Sequence, residues 1–186
     1  MKIRAGAVLL TALFAVTVPV AQSTGGSIAP GALVPDFVVS DLKGRIRSRS
    51  ELQKEANESG LIMLTFWCTS CHSCRDMERK LDKIAAEYQG KAAVFALGSN
   101  ASETAAKINA FRKARGLTLP ALLDSGAKVA DLFGVKVTTT TIIIDNKGVL
   151  RYRGQFARGQ QAFAEDALKA LMAGKEVALP ATQEFG

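Results

Sequence analysis

The chain has 186 residues, a formal charge of +7, 48% apolar residues, three cysteines and a single histidine. That apolar share is enough for a folded core, and three cysteines with no spread framework exclude a disulfide-stapled scaffold. The positive charge has neither interleaved aromatic residues nor a binding motif beside it, so nucleic acid is not expected as a partner.

Lys2 and Arg4 followed by an apolar run over 5–20 have the pattern of a secretory signal peptide. Residues 1–23 are expected to be that peptide, or an anchor if they stay uncleaved. With about 16 apolar residues, interrupted by Thr11 and Thr17, the run is short for a membrane-spanning helix of ~20. Residues 24–32 then form a flexible lead. About 163 residues follow the first segment, room for one domain. That domain is expected over 33–175, with 176–186 as a tail.

Residues 36–50 fit a hairpin turning near Lys43-Gly44, with Ser50 as N-cap of a short helix. Lys43, Arg45, Arg47 and Arg49 alternate at strand spacing and would share one solvated face; anionic lipid or an acidic partner is the alternative. A buried strand is predicted over 61–67, a helix over 72–89 on Met77, Leu81, Ile84, Ala85 and Tyr88, a strand over 92–97 and a helix over 102–115 stopped by Gly116. A short strand over 119–123 precedes a helical turn over 127–133. Strands over 140–145 and 149–153 meet at Asn146-Lys147-Gly148, and the last helix covers 159–173, with Phe163, Ala167, Leu168 and Leu171 on one face. This order, a βαβ unit and then ββα, makes an α/β fold.

Between the first buried strand and the helix after it lies Phe66-Trp67-Cys68-Thr69-Ser70-Cys71-His72-Ser73-Cys74-Arg75. A Cys-x-x-Cys pair between a strand and a helix suits dithiol redox chemistry. The predicted helix puts Cys71 at its N-terminus, where free N–H groups and the macrodipole favour a thiolate, and Cys74 one turn inside. Cys71 is therefore the expected nucleophile and Cys74 the resolving thiol.

This stretch resembles the Phe-Trp-Ala-Thr-Trp-Cys-Pro-Pro-Cys-Arg signature of the exported thioredoxin-like proteins, the TlpA-like and redoxin group of AhpC/TSA type. Val34-Pro35-Asp36-Phe37, Thr140-Thr141-Ile142-Ile143-Ile144-Asp145-Asn146-Lys147-Gly148, Leu150-Arg151-Tyr152-Arg153-Gly154 and Ala173-Gly174-Lys175 match that group in the same order. The resemblance implies a thioredoxin-like fold, a central mixed β-sheet flanked by helices with an N-terminal hairpin extension. It also implies a thiol:disulfide oxidoreductase, periplasmic or otherwise exported, that needs no cofactor. Its partners would be client protein thiols and disulfides, cytochrome c apoproteins among them, and a membrane electron donor. A monomer is expected.

Departures from the group's pattern carry their own expectations. Thr139 falls where the group has a cis-proline facing the cysteines, and a trans bond is expected there, since a cis bond before a non-proline residue costs ~3 kcal/mol. Thr65 stands where thioredoxins often carry a buried acid, and Arg79 where a proline often kinks the helix. Trp67 would shape the docking surface. His72, when protonated, would help stabilise the Cys71 thiolate, or would simply be exposed, with metal ligation as a third reading. Cys68 is either a small buried residue or a third thiol that exchanges with the pair or shares a soft metal with it. The metal reading makes Cys68, Cys71 and Cys74 the ligands of copper or an iron–sulfur cluster. Peroxide reduction ranks low, because the Pro-x-x-x-Thr-x-x-Cys motif is absent. The closing Phe185-Gly186 resembles a redoxin branch that continues into a cysteine.

Overall fold

The computed structural model describes residues 27–184 apart from 58 and 73. The expected signal segment, 1–23, lies outside them, as do Ser73 and the Phe185-Gly186 end. No helix among the described residues is long and apolar enough to cross a membrane.

Strands β1 (Val38–Asp41) and β2 (Ile46–Ser48) form the N-terminal hairpin, followed by α1 (Arg49–Glu55). Next come β3 (Ile62–Trp67), α2 (Arg75–Glu87), β4 (Ala93–Gly98), α3 (Ala105–Arg115), β5 (Ala121–Leu123), α4 (Lys128–Phe133), β6 (Thr140–Ile144), β7 (Leu150–Gln155) and α5 (Phe163–Met172). The seven strands make one sheet in the order β2-β1-β5-β4-β3-β6-β7. β3 pairs parallel with β4 and β4 with β5, whereas β6 runs antiparallel to both β3 and β7. The sheet is thus mixed and carries the expected hairpin at one edge.

β3 is buried on both faces, which is why it reads as a continuous apolar run. Its two-residue alternation sends Met63 and Trp67 to one side and Ile62, Leu64 and Phe66 to the other. The first side packs under α2, α3 and α5 through Leu81, Ile84, Ile108 and Leu168. The second packs under α1 and α4 through Leu52, Val129 and Phe133. Leu81 is wholly buried, a burial that stabilises by roughly 1.5–3 kcal/mol.

Helix starts differ from expectation at α1 and α5. Ser48, not Ser50, caps α1: its hydroxyl accepts from the Glu51 amide while the Glu51 carboxylate accepts from the Ser48 amide. α5 begins only at Phe163, after a turn in which Arg158 and Gln161 exchange backbone hydrogen bonds. The basic stripe of the hairpin is neutralised at home. Arg45 pairs with Glu51, Arg47 with Glu55, and Arg49 lies 3.8 Å from Asp36. Of the three arginines only Arg45 is exposed, while Arg47 and Arg49 are largely buried, so the expected solvated face is not formed and no unopposed row of arginines is left for an anionic partner.

Two segments expected as lead and tail are tied to β7. Gly31 donates to the Leu150 carbonyl at 2.7 Å, and the Leu150 amide donates to Ala32 at 2.9 Å, so residues 27–32 are not a free lead. At the carboxyl end, Arg153 donates to the Pro180 carbonyl at 2.9 Å and Thr182 donates back to Arg153 at 3.1 Å, so the tail runs along the outer edge of β7. The Gln155 amide donates to the Thr182 hydroxyl at 2.9 Å, and Arg153 pairs with Glu184 at 2.9 Å. Gly154 makes this approach possible, since a Cβ there would stand 2.7 Å from the Thr182 nitrogen and 2.8 Å from its carbonyl oxygen. Tyr152, buried beneath, donates to the Gln155 carbonyl at 2.6 Å, and burial pushes its phenol up to about 12, so the donor stays protonated.

Candidate active site

The cysteines leave the sheet at the carboxyl end of β3, where Trp67 pairs with Gly98 of β4. Two tight turns follow before α2 begins. The Cys71 amide donates to the Cys68 carbonyl at 3.2 Å, and the Arg75 amide to the His72 carbonyl at 3.3 Å. The first α-helical bond runs from the Glu78 amide to the Cys74 carbonyl at 2.9 Å, which makes Cys74 the N-cap. This corrects the expected placement: Cys74 is at the helix start rather than one turn inside, and Cys71 lies a turn upstream. The macrodipole falls off within a turn, so its hold on a Cys71 thiolate is weaker than the sequence suggested.

Cys71 and Cys74 are joined as a disulfide, with Cα atoms 5.3 Å apart. Cys74 has no exposed surface, whereas Cys71 is half-buried and His72 is exposed. The Thr138 hydroxyl oxygen stands 3.1 Å from the Cys71 sulfur. In the dithiol state that hydroxyl can donate to a thiolate, a role the helix terminus was expected to fill. Thr138→Val should therefore slow alkylation of Cys71 near neutral pH by about fivefold, the equivalent of ~1 kcal/mol for one hydrogen bond to a charged sulfur. Unchanged iodoacetamide kinetics would show that the hydroxyl does not serve the thiolate.

Thr139 is buried and trans, with no cis bond among the described residues, and its φ is +75°. Its amide donates to the Phe66 carbonyl at 2.7 Å and its carbonyl accepts from the Phe156 amide at 3.0 Å. The loop facing the cysteines is thereby sewn to both β3 and the end of β7. Thr65 is fully buried and shares a 3.0 Å hydroxyl hydrogen bond with Thr141 on β6, satisfying both without an acid at this position. Trp67 is 2% exposed and packs edge-on against Phe111 at 5.3 Å, so most of its ring is in the core.

Cys68 is free and buried, 3.6 Å from the Ser70 hydroxyl. Among the described residues no three His, Cys, Asp or Glu side chains are grouped to hold a metal ion, so the geometry lends no support to a shared metal at Cys68, Cys71 and Cys74. Beside Thr138 opens a cleft of about 220 Å³ whose lining includes Trp67, Ser99, Ala130, Asp131 and Val137. Thr138 joins this cleft to the Cys71 sulfur.

A model of the AhpC/TSA family matches residues 30–153, two thirds of the chain and both cysteines of the pair. The chain belongs to the AhpC/TSA family. Within reach of this family, the thioredoxin-like protein YneN of Bacillus subtilis is 34% identical over 67% of this chain and 70% of its own. The thiol-disulfide oxidoreductase ResA of Geobacillus thermodenitrificans is 30% identical over 67% of this chain and 68% of its own. Among solved structures, the pneumococcal exposed lipoprotein thioredoxin Etrx1 superposes with a TM-score of 0.57 at 23% identity, covering 75% of this chain and 99% of that one. The fold is that of thioredoxin. With these relatives the chain is a thioredoxin-like thiol–disulfide oxidoreductase.

Two members of the site escaped the sequence. Thr138 could have been found from its neighbour, since it precedes the position aligned with the family's proline. Glu103, which receives the Thr69 amide at 3.2 Å and the Thr69 hydroxyl at 2.9 Å, had no such signal because its contact spans 34 residues.

Proposed function

We propose that this enzyme exchanges disulfides with exported client proteins, with Cys71 as nucleophile and Cys74 as resolving thiol. The observation that carries the reading is the unequal burial of two bonded sulfurs, with Cys71 reachable beside the cleft and Cys74 wholly enclosed. In the reductive direction the Cys71 thiolate attacks a client disulfide, a mixed disulfide forms and one client thiolate leaves. Cys74, as thiolate, then attacks the Cys71 sulfur; the Cys71–Cys74 bond forms and the second client thiolate departs. The client gains two electrons and the enzyme loses two, so a donor must reduce the pair again. A membrane electron donor and cytochrome c apoproteins as clients are the partners the family resemblance suggests.

Export rests on Lys2, Arg4 and the apolar run over 5–20, which support a signal peptide over 1–23 ahead of one domain over 33–175. A periplasmic or equivalent extracytoplasmic monomer fits that arrangement. His72, exposed beside the nucleophile, is a supporting residue in this reading, and Cys68 a buried bystander.

Trapping tests the assignment. Cys74→Ser, with Cys71 intact, should accumulate covalent adducts with a disulfide-bonded client that dithiothreitol releases and that Cys71→Ser does not form. Adducts forming equally well through Cys68 would overturn the division of labour.

A further inference from the structure

The redox loop hangs between β3 and α2, and neither element fixes its middle. Thr69 and Ser70 lie outside regular structure, and Ser70 is exposed. In the oxidised protein the Cys71–Cys74 bond restrains the second turn. When that bond opens, the nucleophile must keep its place by other means, because every freed backbone residue regains roughly 1–2 kcal/mol of conformational entropy to be lost again at the transition state.

Glu103, in the connection from β4 to α3, meets this loop. Its side chain is fully buried, and Oε1 gathers three donors: the Thr69 amide at 3.2 Å, the Thr69 hydroxyl at 2.9 Å and the Lys107 ammonium at 3.2 Å. Among the described residues Oε2 is buried with no hydrogen-bond partner. A wholly buried carboxylate with one oxygen unsatisfied is costly, so its retention calls for a return elsewhere. Glu103 is itself held rigidly, since its amide donates to the Asn100 carbonyl at 2.9 Å and the next residue, Thr104, caps α3. It is an anchored post, and its carboxylate accepts charge-assisted hydrogen bonds from Thr69, the residue after Cys68 and two before Cys71.

We infer that Glu103 is a positioning residue which, through Thr69, holds Cys71 in place while the Cys71–Cys74 bond is open. The inference rests on the reading of Cys71 as nucleophile. The restraint matters most in the dithiol state, because in the disulfide state the covalent link already orders the turn. Glu103 therefore stabilises the reduced protein more than the oxidised one, and it biases the redox equilibrium toward the dithiol.

The test compares wild type, Glu103→Ala, Glu103→Gln and the milder Thr69→Ala, each in oxidised and reduced form. Glu103→Ala should lower the melting temperature of the reduced protein more than that of the oxidised protein. It should also shift the equilibrium with glutathione three- to tenfold toward the disulfide, ~14 to 30 mV more negative. Glu103→Gln keeps an acceptor for Thr69 and loses only the charge that Lys107 counters, so it should stay near wild type or move the opposite way. Thr69→Ala should show a weaker form of the alanine effect and add little to it in the double variant. Equal losses in both redox states, or alanine and glutamine variants shifting together, would overturn the inference. Hydrogen exchange of the Thr69 amide in the reduced protein separates this idea from the site reading. Protection lost in Glu103→Ala while wild type fails to reduce insulin would sink the Cys71 reading and keep the clamp, whereas protection equal in both proteins would sink the clamp.

Discussion

Cys71→Ser should abolish insulin reduction, a loss on the order of a thousandfold or more, because a serine hydroxyl is essentially un-ionised near neutral pH and does not attack disulfides. Cys68→Ala should stay within about twofold of wild type. Cys68 is buried and free, and trimming one sulfur from its site costs the core ~1 kcal/mol without touching the exchange path. The contrast between the two variants is the measurement, and both should be checked for cooperative unfolding first. Comparable loss in both would mean that the sulfurs act as a set of three; survival of activity in Cys71→Ser would remove the proposed nucleophile.

Thr139→Pro should destabilise the protein by about 3 kcal/mol or more, lowering its melting temperature by roughly 6–12 °C. Family resemblance alone would cast this change as a restoration. The structure gives the opposite sign for two reasons. The Thr139 amide donates to the buried Phe66 carbonyl at 2.7 Å, and proline would remove that donor and leave the acceptor unmet. The φ of +75° is also far from the ≈ −65° that the proline ring imposes. Thr139→Gly should instead gain about 1 kcal/mol, because a β-branched residue in the left-handed region is strained and glycine is not. Calorimetry of the three proteins decides it. A proline variant that melts with wild type would mean the loop rearranges at little cost.

The sequence announced the sheet and its helices because burial writes itself as period. The apolar run of β3, broken only by Thr65, and the Met77, Leu81, Ile84 spacing of α2 admitted few other readings. Capping was harder. Ser50 was the expected N-cap, and only the reciprocal bonds with Glu51 single out Ser48. The Cys-x-x-Cys pair was legible as a motif, but its position relative to the helix was not, since two successive turns delay α2 to Arg75 and nothing local signals them. Contacts between distant segments were invisible: Glu103 meeting Thr69, Thr138 meeting Cys71, and the hairpin arginines finding their acids depend on the folded register rather than on neighbours in the chain.

The strap over β7 bears on how this sheet meets other chains. An open strand edge is a template for pairing, and proteins usually blunt it with charges, bulges or very short strands. Here the hairpin edge ends in the three-residue β2, and the opposite edge is occupied by the protein's own residues 180–182. One border is thus occupied and the other is short, which leaves little edge for strand addition. For anyone handling the protein the corollary is practical: a purification tag joined at residue 175 would strip one border bare, whereas a tag joined beyond Glu184 leaves the seal intact.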